Sequence, residues 1–433
     1  MLWQLVGMLA VVLGIGASIA LHEVGHLTPA KRFGVRVPEY AIGFGPQLLS
    51  RTVGETRYSL RAIPVGGFIR MIGMYPPARS PRTGGPLVRM AEEARVDSLA
   101  EVGPDDVGRT FYEQPVHRRI IIMLGGPTMN LVLAGLLFAA ALVGVGLPNA
   151  TSTIDSVAPC AVSTTNPKGL PSASGTCVGG PSAAHVAGLQ SGMQIVAVDG
   201  TPVQDAASLD AALAAVAKRG ATDGRVTVVD ASGARRTLSI HFQLLTLPTL
   251  DASGAATGAT ERRAVMGVLL AWQREHLPVT VVPRVMWSMT TSAVSALGAF
   301  PGKLVTLAHT LVSGGQRDPN GPVSVVGATR IGGEIAASSA DGWDKVVSLL
   351  MLLGSLNLFL FLFNLLPLLP LDGGHVAAAG WEVLRNALCR RAARRPIDTA
   401  RLLPLTYAMS VLLIGVGALV IWADIVKPIS LGG

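Results

Sequence analysis

Ala20-Leu21-His22-Glu23-Val24-Gly25-His26 is the stretch on which the reading of this chain turns. On an α-helix His22 and His26 are four residues apart and project from one face, the spacing two imidazoles need to share one Zn²⁺. Glu23 then lies beside the metal, placed to take a proton from an attacking water, the division of labour of the H-E-x-x-H pattern. A pattern this short also arises by chance, and two histidines at a helix end can be plain surface residues. The preceding segment argues against that reading, because Leu5 to Leu21 carries no charge and reads as a membrane span. Ionisable groups at the edge of a bilayer span are costly and usually functional.

Composition agrees with a membrane setting. Half of the 433 residues are hydrophobic and only 14% are charged, with mean hydropathy +0.48. That is too apolar for a soluble multidomain enzyme, although the length leaves room for one soluble module between spans. The formal net charge of +8 invites a nucleic-acid partner. The basic residues, however, form no single stripe with aromatics, so no nucleic acid is expected. Cys160 and Cys177 lie in one soluble loop, whereas Cys389 stands alone in a basic one. A Cys160–Cys177 disulfide is plausible if the loop that holds them is outside the cytoplasm, and two unrelated thiols are the alternative.

The expected fold class is a polytopic α-helical membrane protein of about four spans, with a membrane-associated β region on the cytoplasmic side and an inserted α+β domain. Residues 1–30 form the first span and carry the metal motif, ending near Pro29. A cleavable signal peptide is the alternative, but no basic n-region precedes the span, and a cut there would sever the zinc helix from its anchor.

Residues 31–119 are basic and rich in Gly and Pro. Arg57 to Ile63, including Tyr58 and Leu60, alternates as a half-exposed strand does, and Gly66-Gly67 follows as a turn or bulge. A sheet edge near the metal could pair with an extended substrate through backbone hydrogen bonds. The stretch from Pro76 to Gly108 reads as loop with a short helix and suggests no chemistry.

Residues 120–147 form the second span. Its Gly125-Gly126-Pro127-Thr128-Met129-Asn130 allows close helix approach, and Asn130 should hydrogen-bond to a neighbouring helix rather than act in catalysis. Residues 148–275 hold the soluble insert. Ala150 to Gly180 reads mostly as loop, followed by a short helix and a strand between Ser182 and Gly200. A helix at Ser208 to Ala217 and strands near Arg225 to Val229 and Arg236 to Phe242 complete it. Residues 276–345 are read as amphipathic surface helices, two of them between Met286 and Val312, broken at Pro301. Residues 346–384 hold the third span and an Asp-Gly motif, 385–401 a basic loop, and 402–433 the fourth span.

Lys and Arg set the orientation. Lys31 to Arg119 holds fourteen and the last loop six, while the insert-bearing loop has less than half the density of the first. The first and last loops should therefore be cytoplasmic, with the insert and both chain ends outside.

Two histidines leave a catalytic zinc one protein ligand short of three plus water. Asp372 is the candidate, on the same expected side as His22. Pro367 and Pro370 end the third span, and Gly373-Gly374 lets the backbone turn so that the carboxylate can be aimed. The plain alternative is a helix N-cap.

The insert resembles a PDZ domain, most clearly from Ser182 to Gly200, and such domains bind extended peptides; its ligand peptide is not legible. HEVGH ending the first span, Gly126-Pro127-x-x-Asn130, that insert, and Asn364-x-x-Pro367 leading to Leu371-Asp372-Gly373 together resemble the bacterial site-2 intramembrane metalloproteases. The chain is similar to those members that cleave membrane-bound anti-sigma factors. The resemblance implies Zn²⁺ held by His22, His26 and Asp372, with Glu23 as catalytic acid/base. It implies Asn364 and Pro367 as substrate-handling residues, and the strand before Gly66-Gly67 as the edge that receives unwound substrate. It also implies a multi-pass protein of the bacterial plasma membrane, in contact with the lipid bilayer, whose partners are single-span substrates. Only one PDZ domain is found, so this chain departs from members with two. A membrane-anchored PDZ adaptor with a structural metal is the rival, disfavoured by Glu23 beside a three-ligand set.

Overall fold

The computed structural model describes residues 1–77, 85–160, 180–250, 256–388 and 398–429. The chain begins with helix α1 (Leu2–Arg32), strands β1 (Glu39–Val53) and β2 (Thr56–Arg70), and helices α2 (Pro86–Ala100) and α3 (Val116–Ala139). Then come β3 (Leu147–Val157), α4 (Ala183–Val186), β4 (Gln194–Val198), β5 (Thr201–Pro202), α5 (Ala206–Arg219), β6 (Asp223–Val229) and β7 (Arg235–His241). Next are β8 (Gln243–Leu250), β9 (Ala256–Val265) and β10 (Val268–Glu275), and finally helices α6 (Val281–Ser313), α7 (Val325–Ala337), α8 (Gly342–Asn364), α9 (Asp372–Leu388) and α10 (Leu403–Val426). These elements fall into two compact units, Gly146–Glu275 and the rest of the chain.

Among the described residues four helical stretches are long and apolar enough to cross a membrane: Leu2–Arg32, Val116–Val145, Gly342–Asn364 and Thr399–Val426. In the helical unit α1 packs against α3, α7 and α8. Small residues allow this. A Cβ added to Gly25 or to Gly125 would overlap the other's backbone carbonyl, so α1 and α3 touch main chain to main chain. A Cβ at Gly7 of α1 would likewise overlap the Gly332 carbonyl of α7. Two buried polar contacts join the helices: Asn357 of α8 donates to Ser18 Oγ of α1 at 2.9 Å, and Arg317, between α6 and α7, pairs with Asp424 of α10 at 2.6 Å.

Two helices differ from expectation. α1 runs through Pro29 to Arg32. Proline removes a single donor, and the Gly25 carbonyl it leaves unpaired within the helix lies against the backbone of Gly125. α6 is one continuous helix across Pro301, not two.

The β1–β2 hairpin turns at Gly54-Glu55 and is strongly bent. Glu39–Ile42 pairs with both Arg57–Leu60 and Gly67–Arg70, while Leu49–Val53 pairs back onto Thr56–Leu60. Gly66-Gly67 is thus a kink inside β2 and not a turn, with Gly66 at φ +90° and the register shifting opposite it, between Ile42 and Phe44. Glu39 is buried at the centre of the hairpin, with Arg61 Nη2 donating to Oε1 at 2.7 Å and Arg57 and Arg70 close by. Burial alone would raise this carboxyl. The hydrogen bond from Arg61 and the charges of Arg61, Arg57 and Arg70 outweigh it and hold the group below the usual carboxylate range.

The inserted unit contains a sheet in the order β10-β3-β4-β6-β7, with β5 on β4, and a separate β8–β9 hairpin. Ile154, Ile195, Val198, Leu209, Val216, Val226, Val228 and Phe242 form its core. The helix begins on an Asp205–Ser208 capping box and ends at Gly220 with φ +67°. The helix and strands expected after Ser182 are present. β3, however, occupies Leu147–Val157, in a stretch read as loop. Its polar outward residues, Asn149, Thr151, Thr153 and Asp155, hide the alternation. Cys160 is buried and disulfide-bonded. Cys177, the partner expected for it, lies outside the described residues, as does Cys389.

Candidate metal centre

His22 and His26 occupy successive turns of α1, with their Nε2 atoms 3.2 Å apart. Asp372, the first residue of α9, places Oδ2 3.4 Å from both. A tetrahedron of metal–ligand bonds near 2.05 Å has edges of about 3.3 Å, so this spacing suits three protein ligands on one zinc. The donor chemistry agrees. Asp372 Oδ2 is buried without a hydrogen-bond partner, and an unpaired buried carboxylate oxygen is costly unless a cation satisfies it. Among the described residues this trio is the group whose ligand atoms can hold a metal, all lying within 4.8 Å of one another.

The opposite sides of both rings are braced by α3. The Ile122 carbonyl lies 2.7 Å from His26 Nδ1. A carbonyl can only accept, so the proton is on Nδ1 and the Nε2 lone pair faces Asp372. Asn130 reaches His22 Nδ1 at 3.2 Å through its amide nitrogen, while its Oδ1 has no partner. With the amide turned so that Oδ1 accepts from Nδ1–H, His22 takes the same tautomer as His26. Gly126 makes the crossing possible. A methyl group there would overlap His26 Nε2 and lie 2.7 Å from His22 Nε2. Gly373 and Gly374 likewise pack on the backbone of Leu365 to Leu369, and no side chain fits.

Glu23 is half-buried beside the trio. Its neighbours are the Gly67 backbone, where an added Cβ would stand 3.1 Å from Glu23 Cγ, and the Ile69 backbone N–H. Tyr40 ties the hairpin to α1 by donating its hydroxyl to the Ala20 carbonyl at 2.8 Å. Burial first, then the charge of Glu23 and the neighbouring Tyr58, push the Tyr40 phenol up to about 12. It therefore stays a donor at physiological pH.

The remaining expected residues are distributed unevenly. Gly67 is at the site. The Tyr58 ring lies tilted against that of Tyr40, with centroids 5.4 Å apart, and its hydroxyl accepts from Lys31 Nζ at 3.0 Å. Both Tyr58 and Leu60 are flanked on two sides, by Tyr40 and Arg51 and by Ile42 and Leu49, so neither offers a free strand edge. The outer segment beside Glu23 is Gly67–Arg70. Asn364 ends α8 and Pro367 is exposed in the following turn. Among the described residues Asn364 makes no side-chain hydrogen bond. The close helix approach expected at Gly125-Gly126 is present, whereas the bracing carbonyl of Ile122 is a backbone group that residue type does not reveal. Asn130 makes the interhelical contact expected of it, and the helix it meets is the one that bears the histidines.

Peptidase family M50 matches residues 10–403, and the chain belongs to this family. It is a zinc metalloprotease. Its particular likeness is to zinc metalloprotease Rip1 of Mycobacterium tuberculosis, 34% identical over 98% of each chain. Rip1 of Mycolicibacterium smegmatis matches equally, at 34% over 98% of each. A putative zinc metalloprotease of Clostridium perfringens is 25% identical over 96% of this chain and 98% of its own.

Proposed function

We propose that this chain is an intramembrane endopeptidase that cuts within or beside the membrane span of single-span substrates, membrane-bound anti-sigma factors among them. The observation that carries this reading is the position of the trio. Two of its members and Glu23 lie on α1, a 31-residue helix long and apolar enough to cross a membrane, which supports a substrate that is itself embedded in the bilayer. The anti-sigma class rests on the resemblance to the site-2 proteases.

In this mechanism His22, His26 and Asp372 hold Zn²⁺, while Ile122 and Asn130 fix the two rings. Zinc supplies Lewis-acid polarisation of a carbonyl and acidification of water. Glu23 takes the proton of the attacking water and delivers it to the leaving amine. A helical substrate hides its carbonyls in its own hydrogen bonds, so it unwinds locally before attack. The segment Gly67–Arg70 pairs with the extended piece, and Asn364 and Pro367 steer its approach from the end of α8. The inserted unit acts as a PDZ domain outside the cytoplasm, and the metal centre lies toward the cytoplasmic face.

The test is incubation of purified wild-type and Glu23→Gln protein in liposomes with single-span anti-sigma factors, followed by mapping of fragment ends. Cuts within or next to the span, made by the wild type alone, are expected. Cuts confined to soluble regions, or equal cutting by the variant, would refute the reading.

A further inference from the structure

We propose that the buried ion pair between Arg119 of α3 and Glu382 of α9 positions Asp372, and so sets the geometry of the metal centre from its far side. The inference rests on reading Asp372 as a zinc ligand.

Asp372 opens α9, whose first turn rests on the backbone of Leu365 to Leu369 through Gly373 and Gly374 and which also packs against α3, so the carboxylate takes its place from the turn and from the way α9 seats on α3. The seating face is smooth. Apart from those two glycines, which face the turn, the buried residues of α9 are Ala379, which is small, and Glu382, which is the polar one. Small residues permit close approach but resist sliding and rotation weakly. Arg119 Nη2 donates to Glu382 Oε1 at 2.7 Å, with the two side chains 10% and 4% exposed.

The pair shares its stripe with the metal centre. Arg119, Met123, Gly126 and Asn130 recur at helical spacing along one face of α3, and Gly126 and Asn130 touch the histidines. On α9, Glu382 is ten residues past Asp372, about 15 Å along the axis. The pair thus pins one end of a seam whose other end is the trio. Arg119, Glu382, His375 and Tyr112 help to line a small, partly open cavity of about 20 Å³.

A buried pair of this kind contributes little net stability compared with apolar side chains of the same volume, and its attested use is to specify register. Here register decides chemistry. A ligand displaced by an ångström can cost on the order of a hundredfold in rate.

The experiment uses full-length protein in detergent. It reads zinc affinity by chelator competition, the visible spectrum of the cobalt-substituted protein, and kcat and KM on a cleaved substrate. Glu382→Gln should weaken zinc about tenfold or more, change the cobalt spectrum, and lower kcat with KM unchanged. The charge swap R119E/E382R should recover most of the loss. R119M/E382L, which keeps the seam filled, should unfold near the wild-type temperature yet still bind zinc weakly. Arg317→Gln breaks a buried pair elsewhere and should leave the cobalt spectrum alone.

Wild-type zinc affinity and spectrum in both Glu382→Gln and R119M/E382L would overturn the proposal. So would an equal spectral change in Arg317→Gln. Asp372→Asn, measured alongside, separates the two ideas. If it holds zinc as the wild type does, the ligand assignment fails, whatever Glu382 does.

Discussion

Asn130 of α3 and His22 of α1 meet side chain to side chain, 3.2 Å from amide nitrogen to Nδ1. An amide in the middle of an apolar span is thereby spent on the orientation of one imidazole. Asn130→Ala should cut zinc affinity or turnover by roughly 10- to 100-fold, the usual cost of removing a ligand's outer partner. Isothermal titration of the metal-free protein with zinc measures it. Affinity within twofold of wild type would deny Asn130 this role.

Glu23→Gln keeps the shape of the side chain and removes its basicity. The variant should retain one zinc per chain by elemental analysis, because Glu23 is not among the three converging groups. Cleavage should fall by roughly 10²- to 10⁴-fold, the usual contribution of a positioned acid/base.

Gly126→Ala should abolish zinc binding, since the new methyl overlaps His26 Nε2. The contrast is Gly415→Ala on α10, where an added Cβ meets nothing within 4 Å, and there activity should be unchanged. Equal behaviour of the two variants would show that the tight crossing at Gly126 is not what the metal centre requires.

The Glu39 cluster makes a prediction about pH. Its folded carboxyl is held below the ordinary range, so its contribution to stability is complete above the unfolded value of about 4.3 and is lost as pH falls through the depressed folded value. Thermal unfolding from pH 7 down to pH 3 should show a loss of midpoint that Glu39→Gln lacks. At pH 7 the variant should already be the less stable, having left three arginines around an uncharged centre.

The legible parts of this chain were those in which chemistry and spacing coincide locally. His22 and His26 share a helix face by covalent spacing alone, and the apolar run before them marks a span without reference to any neighbour. Asp372 stood out as a candidate because a three-ligand zinc site demands a third donor and few carboxylates stand at the end of an apolar segment, and the structure sets it 3.4 Å from both histidines. The hairpin was harder. Its alternation placed Tyr58 and Leu60 on a strand, but strand periodicity does not say which edge is covered, and the fold-back of Glu39–Ile42 covers theirs. β3 failed for a related reason, its polar half resembling a loop until the sheet supplies the other face.

By itself the sequence determined that His22 and His26 share one face of an apolar helix, that this helix is one of four apolar segments, and that Asp372 is the candidate third ligand. Each follows from residue type and helical repeat, which are local properties. Only the tertiary structure decided that Ile122 and Asn130 brace the rings, that Gly67 and not Tyr58 stands at Glu23, and that Arg119 finds Glu382. Those are contacts between segments far apart in the chain, chosen by which backbones can approach closely enough to touch, and glycine placement reveals that only once the helices are docked.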